Sequence, residues 1–348
     1  MLVSFSGGET SAYMSWWLKT FMSHVYDFVF VFANTGQESE KTLEFVNKVD
    51  KEFDLGVVWV EAVVRYGVRA YGEKYYFTNY DKYRAFMDSF SLEEFEKEEQ
   101  CGWKSVENIK DYGFFKTIGL PKKKVPKYRK CVAEIPAGTK HRVVTFETAD
   151  RSGKPFEDTI KKFMIPNMQN FSCTREMKLR PIKSYARSIG WKKRDYVTAI
   201  GIREDEMDRV SENRKEEHLV YPLISNRPMT KQKINFWWSQ QPFRLELKGY
   251  EGNCKTCWKK SDRKLATISL EKPEWFDFFR EMEEKYQYHL KKGRDMDLPI
   301  RFFRKSRTVD DIFKIAKKEG FVSSEDDHVV YDPNLDLSNG CTESCEVF

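Results

Sequence analysis

The chain has 348 residues, with 60 Lys and Arg against 54 Asp and Glu, a formal net charge of +6 and seven cysteines. Its 27 Phe, 17 Tyr and 9 Trp are too many aromatics for a disordered chain, and no apolar run approaches the roughly 18–20 residues of a membrane span. The N-terminus lacks the basic-then-apolar form of a signal peptide, so a cytoplasmic protein is expected, its thiols reduced or bound to metal rather than paired.

The first 64 residues alternate strand and helix. Leu2–Phe5, Phe28–Ala33 and Val57–Val64 read as apolar strands, and Thr10–Phe21 and Glu40–Phe53 as amphipathic helices. Apolar strands separated by such helices predict a parallel sheet covered on both faces. Residues 65–165 break the rhythm with a Tyr-rich stretch, an acidic helix candidate at Leu92–Glu99 and a basic segment, and read as an insertion. A helix near Lys183–Ile189 and a strand at Tyr196–Ile202 resume the pattern. Helices at Thr230–Ser239, Pro273–Lys291 and Thr308–Lys318 follow. From Val322 onward the chain has seven acidic residues and no Lys or Arg, which predicts a flexible tail. The tail carries −7, so the preceding residues carry +13.

Ser6-Gly7-Gly8-Glu9-Thr10-Ser11 lies between the first strand and the first helix. Two glycines there let successive N–H groups curl toward one anion, and the helix adds its positive end. The hydroxyls of Ser6, Thr10 and Ser11 are further donors. The other reading is a tight turn capped by Thr10 or Ser11. The second strand ends in Asn34-Thr35-Gly36-Gln37-Glu38. These small polar residues suit an adenine, a ribose or Mg²⁺, or else a capped turn. After the later strand comes Gly201-Ile202-Arg203-Glu204-Asp205-Glu206-Met207-Asp208-Arg209. Gly201 permits close backbone approach, and the planar forks of Arg203 and Arg209 suit phosphate or sulfate oxygens. A salt-bridged surface turn is the alternative.

Cys254-Lys255-Thr256-Cys257 puts two thiolates on one turn, with Cys173 about eighty residues before it as a third ligand. An iron–sulfur cluster, a structural Zn²⁺ site and an unmetallated dithiol all stay open on spacing alone. Lys259-Lys260-Ser261-Asp262-Arg263-Lys264 could offset cluster charge or bind phosphate. Cys341 and Cys345 form a tail pair suited to a redox or persulfide arm, although Glu343 and Glu346 disfavour a ready thiolate. Cys101 and Cys131 have no local signature, and the five histidines form no metal-spaced or triad-like set. Between Lys116 and Arg142 nine basic residues stand against Glu134 alone, with Phe114, Phe115 and Tyr128 interleaved. Such a segment suits phosphates and unpaired bases, or is a solvated lysine-rich loop.

Taken together, the Ser-Gly-Gly-x-Thr-Ser loop and the Thr-Gly-x-Glu turn resemble the PP-loop ATP pyrophosphatase superfamily. Within it, Gly-Ile-Arg-x-x-Glu-x-x-Arg, Tyr221-Pro222-Leu223, the helix from Thr230 and Pro242 follow the order of the phosphoadenosine phosphosulfate (PAPS) reductase family. The resemblance covers roughly residues 1–270. It departs at Asn34, where that family usually has Asp, and at Ser172, where its iron–sulfur members have the first cysteine of a Cys-Cys pair. The resemblance implies an α/β fold with a doubly wound parallel sheet, to which the residue pattern adds an inserted subdomain and a helical region at 271–321. It implies ATP with Mg²⁺, or PAPS or its unphosphorylated analogue APS, as the adenine nucleotide. It also implies a [4Fe–4S] cluster on Cys173, Cys254 and Cys257, with one iron open for sulfur chemistry. An ATP-dependent sulfur transfer to tRNA or another polyanion is the first functional expectation. A sulfonucleotide reductase using Cys341 or Cys345 is the second, although the family's Glu-Cys-Gly-x-His context is missing. The third is a non-catalytic iron–sulfur nucleic-acid-binding protein. A sulfur or electron donor is implied in the first two cases.

Overall fold

The structure, a computed structural model, describes residues 1–65, 68–71, 74–77, 133–135, 138–289 and 298–326. The chain opens with β1 (Leu2–Phe5), α1 (Glu9–Met22), β2 (Val29–Asn34), α2 (Glu40–Phe53) and β3 (Val58–Arg65), close to the boundaries its hydrophobic pattern predicts. Two compact units divide the chain, Val64–Lys140 forming one and the rest the other. The smaller unit holds an antiparallel sheet of β4 (Val68–Tyr71), β5 (Lys74–Phe77) and β6 (Ala133–Ile135), in the order β5-β4-β6. The insertion expected over 65–165 is thus shorter as a compact unit. The helix candidate Leu92–Glu99, Cys101, Cys131 and most of the basic segment lie outside the described residues.

In the larger unit follow β7 (Gly138–Val144, which begins at the unit boundary), α3 (Lys154–Phe163), a π-helical turn (Cys173–Leu179) continuing into α4 (Arg180–Ser188), β8 (Thr198–Ile200) and β9 (Leu219–Val220). The sheet has six strands in the order β7-β3-β2-β1-β8-β9, and it is mostly parallel. Leu2 registers with Val29 on one side and with Thr198 on the other, and Val31 registers with Val58. Strand alternation sends Val3, Phe5, Phe30 and Phe32 to one face, where they pack with Tyr13, Met14, Leu43 and Val46 of α1 and α2. Leu2, Val31, Ala33 and Val60 face the other way, onto Ile182 and Ala186 of α4. Helices therefore cover both faces. The chain crosses from β1 to β2 on one side and later returns to β8 on the other. The order reverses between β1 and β8, and open α/β sheets take ligands at the strand ends beside such a reversal.

The C-terminal part consists of α5 (Lys231–Ser239), α6 (Asp262–Glu271), α7 (Asp277–Tyr286) and α8 (Val309–Ala316). A second core of Phe156, Ile160, Leu265, Ile268, Phe276, Phe279, Phe302 and Ile312 joins α3 to the last three of these helices. α6 starts inside the basic run Lys259–Lys264. Ser261 caps it, its Oγ accepting from Lys264 N at 3.3 Å, and Leu265 and Ile268 bury its inner face. The helix expected over Pro273–Lys291 is a 3₁₀ turn, Pro273–Phe276, followed by α7. The expected flexible tail begins as a docked strand of coil. Arg263 donates to the carbonyls of Val322 (3.1 Å) and Ser323 (2.8 Å), and Gly249 N donates to Asp326 Oδ1 at 2.8 Å. Residues 327–348, with Cys341 and Cys345, lie outside the described residues. Among the described residues no helix is long and apolar enough to cross a membrane.

Candidate functional site

Three loops leave the C-terminal ends of β1, β2 and β8, beside the point where the strand order reverses. In the first, Gly7 has φ +87°, and a Cβ there would stand 2.8 Å from Thr42 Cγ2. Gly8 is the extended N-cap of α1, with no side-chain cap bond. Ser11 is fully buried. Its single hydroxyl proton goes to Gly8 O at 3.0 Å, so it accepts from Ser6 N at 3.2 Å and from Ser6 Oγ at 2.9 Å. Ser6 and Ser11, expected as ligand donors, bond to each other and shape the loop. Glu9, the first residue of α1, is clamped by the segment at 244–245. Arg244 donates to its carboxylate from Nε (3.0 Å) and Nη2 (2.9 Å), and Leu245 N adds a third bond at 3.2 Å.

The second loop is wholly buried. Glu38 accepts from Thr35 N and from Thr35 Oγ1, both at 2.9 Å, and so closes the turn. Asn34 donates from Nδ2 to Glu61 Oε1 (2.6 Å) and Asp150 O (2.8 Å), while its Oδ1 accepts from Gly36 N at 3.2 Å. Glu61 has no exposure and also accepts from Asp150 N (2.6 Å) and Arg142 Nη2 (2.6 Å). The amide at position 34 has a physical reason here. An aspartate would set a second buried carboxylate against Glu61. Gly36, with φ +81°, is a close-approach glycine whose added Cβ would meet Asp150 Oδ1 at 2.5 Å.

In the third loop Gly201 is buried after β8. Arg203 is also buried and points back at the first loop, with Nη1 donating to Thr10 Oγ1 at 3.2 Å. Asp205 takes its Nε (3.0 Å) and Nη2 (3.2 Å). Glu206 takes Arg203 N at 3.2 Å and Arg209 Nη1 at 2.5 Å. The acids between the arginines thus orient both of them.

The Cys-x-x-Cys turn is laced to two of these loops. Asn253 Nδ2 donates to Ser6 O at 3.0 Å, Ser39 N to Asn253 O at 3.0 Å, and Lys255 N to Gln37 O at 3.0 Å. Cys254 Sγ lies 3.7 Å from Glu38 Oε1. Cys173 begins the π-helical turn, a deviation common at functional sites, and accepts from the Trp258 indole Nε1 at 3.4 Å. The three thiols are not in disulfides. Ser172 Oγ and Thr256 Oγ1, neighbours of these cysteines in sequence, are buried without a hydrogen-bond partner. Such hydroxyls are costly unless something polar meets them. Among the described residues no three His, Cys, Asp or Glu side chains are gathered around a single ion position. A cubane spreads its thiolates over separate irons, so its ligands stand wider apart than the four around one Zn²⁺. The free thiols of Cys173, Cys254 and Cys257 are the ligand type such a cluster takes. Lys260, from the basic run, is 1% exposed, and its N donates to Cys257 O at 3.0 Å. Asp262 pairs with Arg307.

Glu9, Glu61, Arg142, Asp150, Arg244, Asn253 and Trp258 were not legible as site residues. Each works through a partner distant in sequence. Asn253 and Trp258 carried the one available signal, flanking the Cys-x-x-Cys.

By fold and loops, the protein is an α/β protein with its polar loops gathered at the point where a mostly parallel sheet reverses its order. Over 347 residues it is 25% identical to the uncharacterized nin region protein ORF290 of Escherichia phage lambda, a match covering 100% of this chain and 94% of the phage protein. No protein-family model matches the chain, and no solved structure matches it.

Proposed function

We infer that the chain is an adenine-nucleotide enzyme of PP-loop type, similar to the PAPS reductase family, that adenylates an acceptor with ATP and exchanges the adenylate for sulfur. The observation that carries this reading is the Arg203–Thr10 bond of 3.2 Å, which joins the loops after β8 and β1 where the strand order reverses. The uncapped start of α1 at Gly8 would receive the phosphates, and Arg203 and Arg209 the oxyanion end. The buried loop from Asn34 to Glu38 would form the floor under the nucleoside. Mg²⁺ would arrive with ATP.

In the first step an acceptor oxygen attacks the α-phosphorus, the bond to the bridging oxygen breaks, and pyrophosphate leaves. In the second a sulfide-level donor attacks the carbon bearing the adenylated oxygen, the C–O bond breaks, and AMP leaves. This chain's own contribution is positioning and charge stabilisation. Cys173, Cys254 and Cys257 would hold a [4Fe–4S] cluster, which supplies an iron site for the sulfur when bound. The acceptor class is a nucleic acid such as tRNA, in keeping with the +13 carried ahead of the acidic tail.

The test is anaerobic purification, iron analysis and an assay of pyrophosphate release from ATP with and without tRNA. Iron-containing protein that releases pyrophosphate, with release stimulated by the acceptor, is the expected result. Release of sulfite from PAPS would instead favour a sulfonucleotide reductase. Tight, salt-sensitive nucleic-acid binding with no turnover of either nucleotide would favour a binding protein.

A further inference from the structure

Trp258 follows Cys257 directly, yet its indole N–H is spent on the sulfur of Cys173, 85 residues away in sequence, at 3.4 Å. The ring is 5% exposed. Phe171 packs against it with centroids 5.5 Å apart, and the Lys259 ammonium lies 5.8 Å from its centroid. A single side chain therefore bridges the two segments that carry the three cysteines. The partnerless hydroxyls of Ser172 and Thr256 flank the same segments.

We propose that Trp258 is a positioning residue that fixes Cys173 Sγ and, through the N–H···S bond, sets the electron affinity of the cluster held there. This rests on the cluster reading above. A donor on a ligand sulfur stabilises added negative charge, and hydrogen bonding to sulfur is one of the protein's main controls over cluster potential. Reduction adds one electron, supplied in the test by dithionite, with no bond made or broken. The N–H therefore favours the reduced state.

The experiment compares the unsubstituted holoprotein with Trp258→Phe, which keeps an aromatic ring against Phe171 and removes the donor. Both are prepared anaerobically, analysed for iron and titrated with dithionite by visible and EPR spectroscopy. At the potential where the unsubstituted cluster is half reduced, the reduced-to-oxidised ratio in Trp258→Phe should fall severalfold, up to tenfold, the latter being about 59 mV for one electron. A second measurement needs no substitution. With ¹⁵N-indole tryptophan throughout, pulsed EPR of the reduced holoprotein should detect nitrogen coupling to the cluster. Iron-loaded protein with no such coupling and an unchanged potential in Trp258→Phe would overturn this inference and leave the cluster standing. Iron-free unsubstituted protein would overturn the cluster, and this inference with it.

Discussion

Asn34 shows how much of a site residue's role depends on what faces it. Its Nδ2 stands 2.6 Å from a Glu61 oxygen that has no access to water. Asn34→Asp would replace a donor with a second carboxylate, leaving Arg142 alone to compensate two buried negative charges. We expect a loss of about 3 kcal/mol in urea unfolding at pH 7, partly recovered at lower pH as one carboxyl takes up a proton. Equal stability of the two proteins at pH 7 would exclude the role given to Glu61. The residue types of the motifs were legible in the sequence, and their placement at strand ends was too. Their partners were not. Asn34 meets Asp150 across 116 positions and Glu9 meets Arg244 across 235, distances over which no local pattern carries information.

At the scale of elements, the apolar strands and α2 followed directly from hydrophobic periodicity, because strands buried on both faces leave little ambiguity. α3 and α6 were missed, since their charged outer faces dominate the local composition and their apolar stripes, Phe156 with Ile160 and Leu265 with Ile268, become visible only against the second core. That core contains a pH-sensitive joint. Glu283 of α7 accepts from Val309 N, at the start of α8, at 3.0 Å and from Phe302 N at 3.4 Å. Burial raises its pKa above the ordinary carboxylate value, and the two backbone bonds oppose that rise without cancelling it. The folded state thus binds this proton more tightly than the unfolded chain does. Its contribution to stability is full below the unfolded value, ~4.3, and is lost as pH rises through the folded value. Glu283→Gln should remove this contribution to the pH slope. Thermal unfolding measured from pH 4 upward should show a smaller decline in the variant. Parallel curves for the two proteins would contradict the assignment.

For the whole molecule, the modest net charge conceals a basic body and an acidic tail, and the sheet's reversal gathers three loops from distant parts of the chain. The shape of the sheet and the location of its loops were legible. The lacing of the Cys-x-x-Cys turn to the first two loops was not, because it depends on backbone bonds such as Lys255 N to Gln37 O. The central claim is that the start of α1 receives nucleotide phosphates, and Gly8 allows it to be tested without disturbing the fold. Its backbone is extended, with φ −98° and ψ 164°, and a Cβ would make only ordinary contacts, the nearest to Asn253 Nδ2 at 3.4 Å. Gly8→Asp would supply an N-cap carboxylate to the amides that otherwise face the anion. The direct measurement is equilibrium binding of ATP–Mg²⁺ to both proteins, alongside their melting temperatures. We expect the variant to melt at or above the unsubstituted protein and to bind roughly a hundredfold more weakly, ~2.7 kcal/mol. Equal affinity in the two proteins, or no binding of ATP or PAPS by the unsubstituted protein, would contradict the nucleotide site.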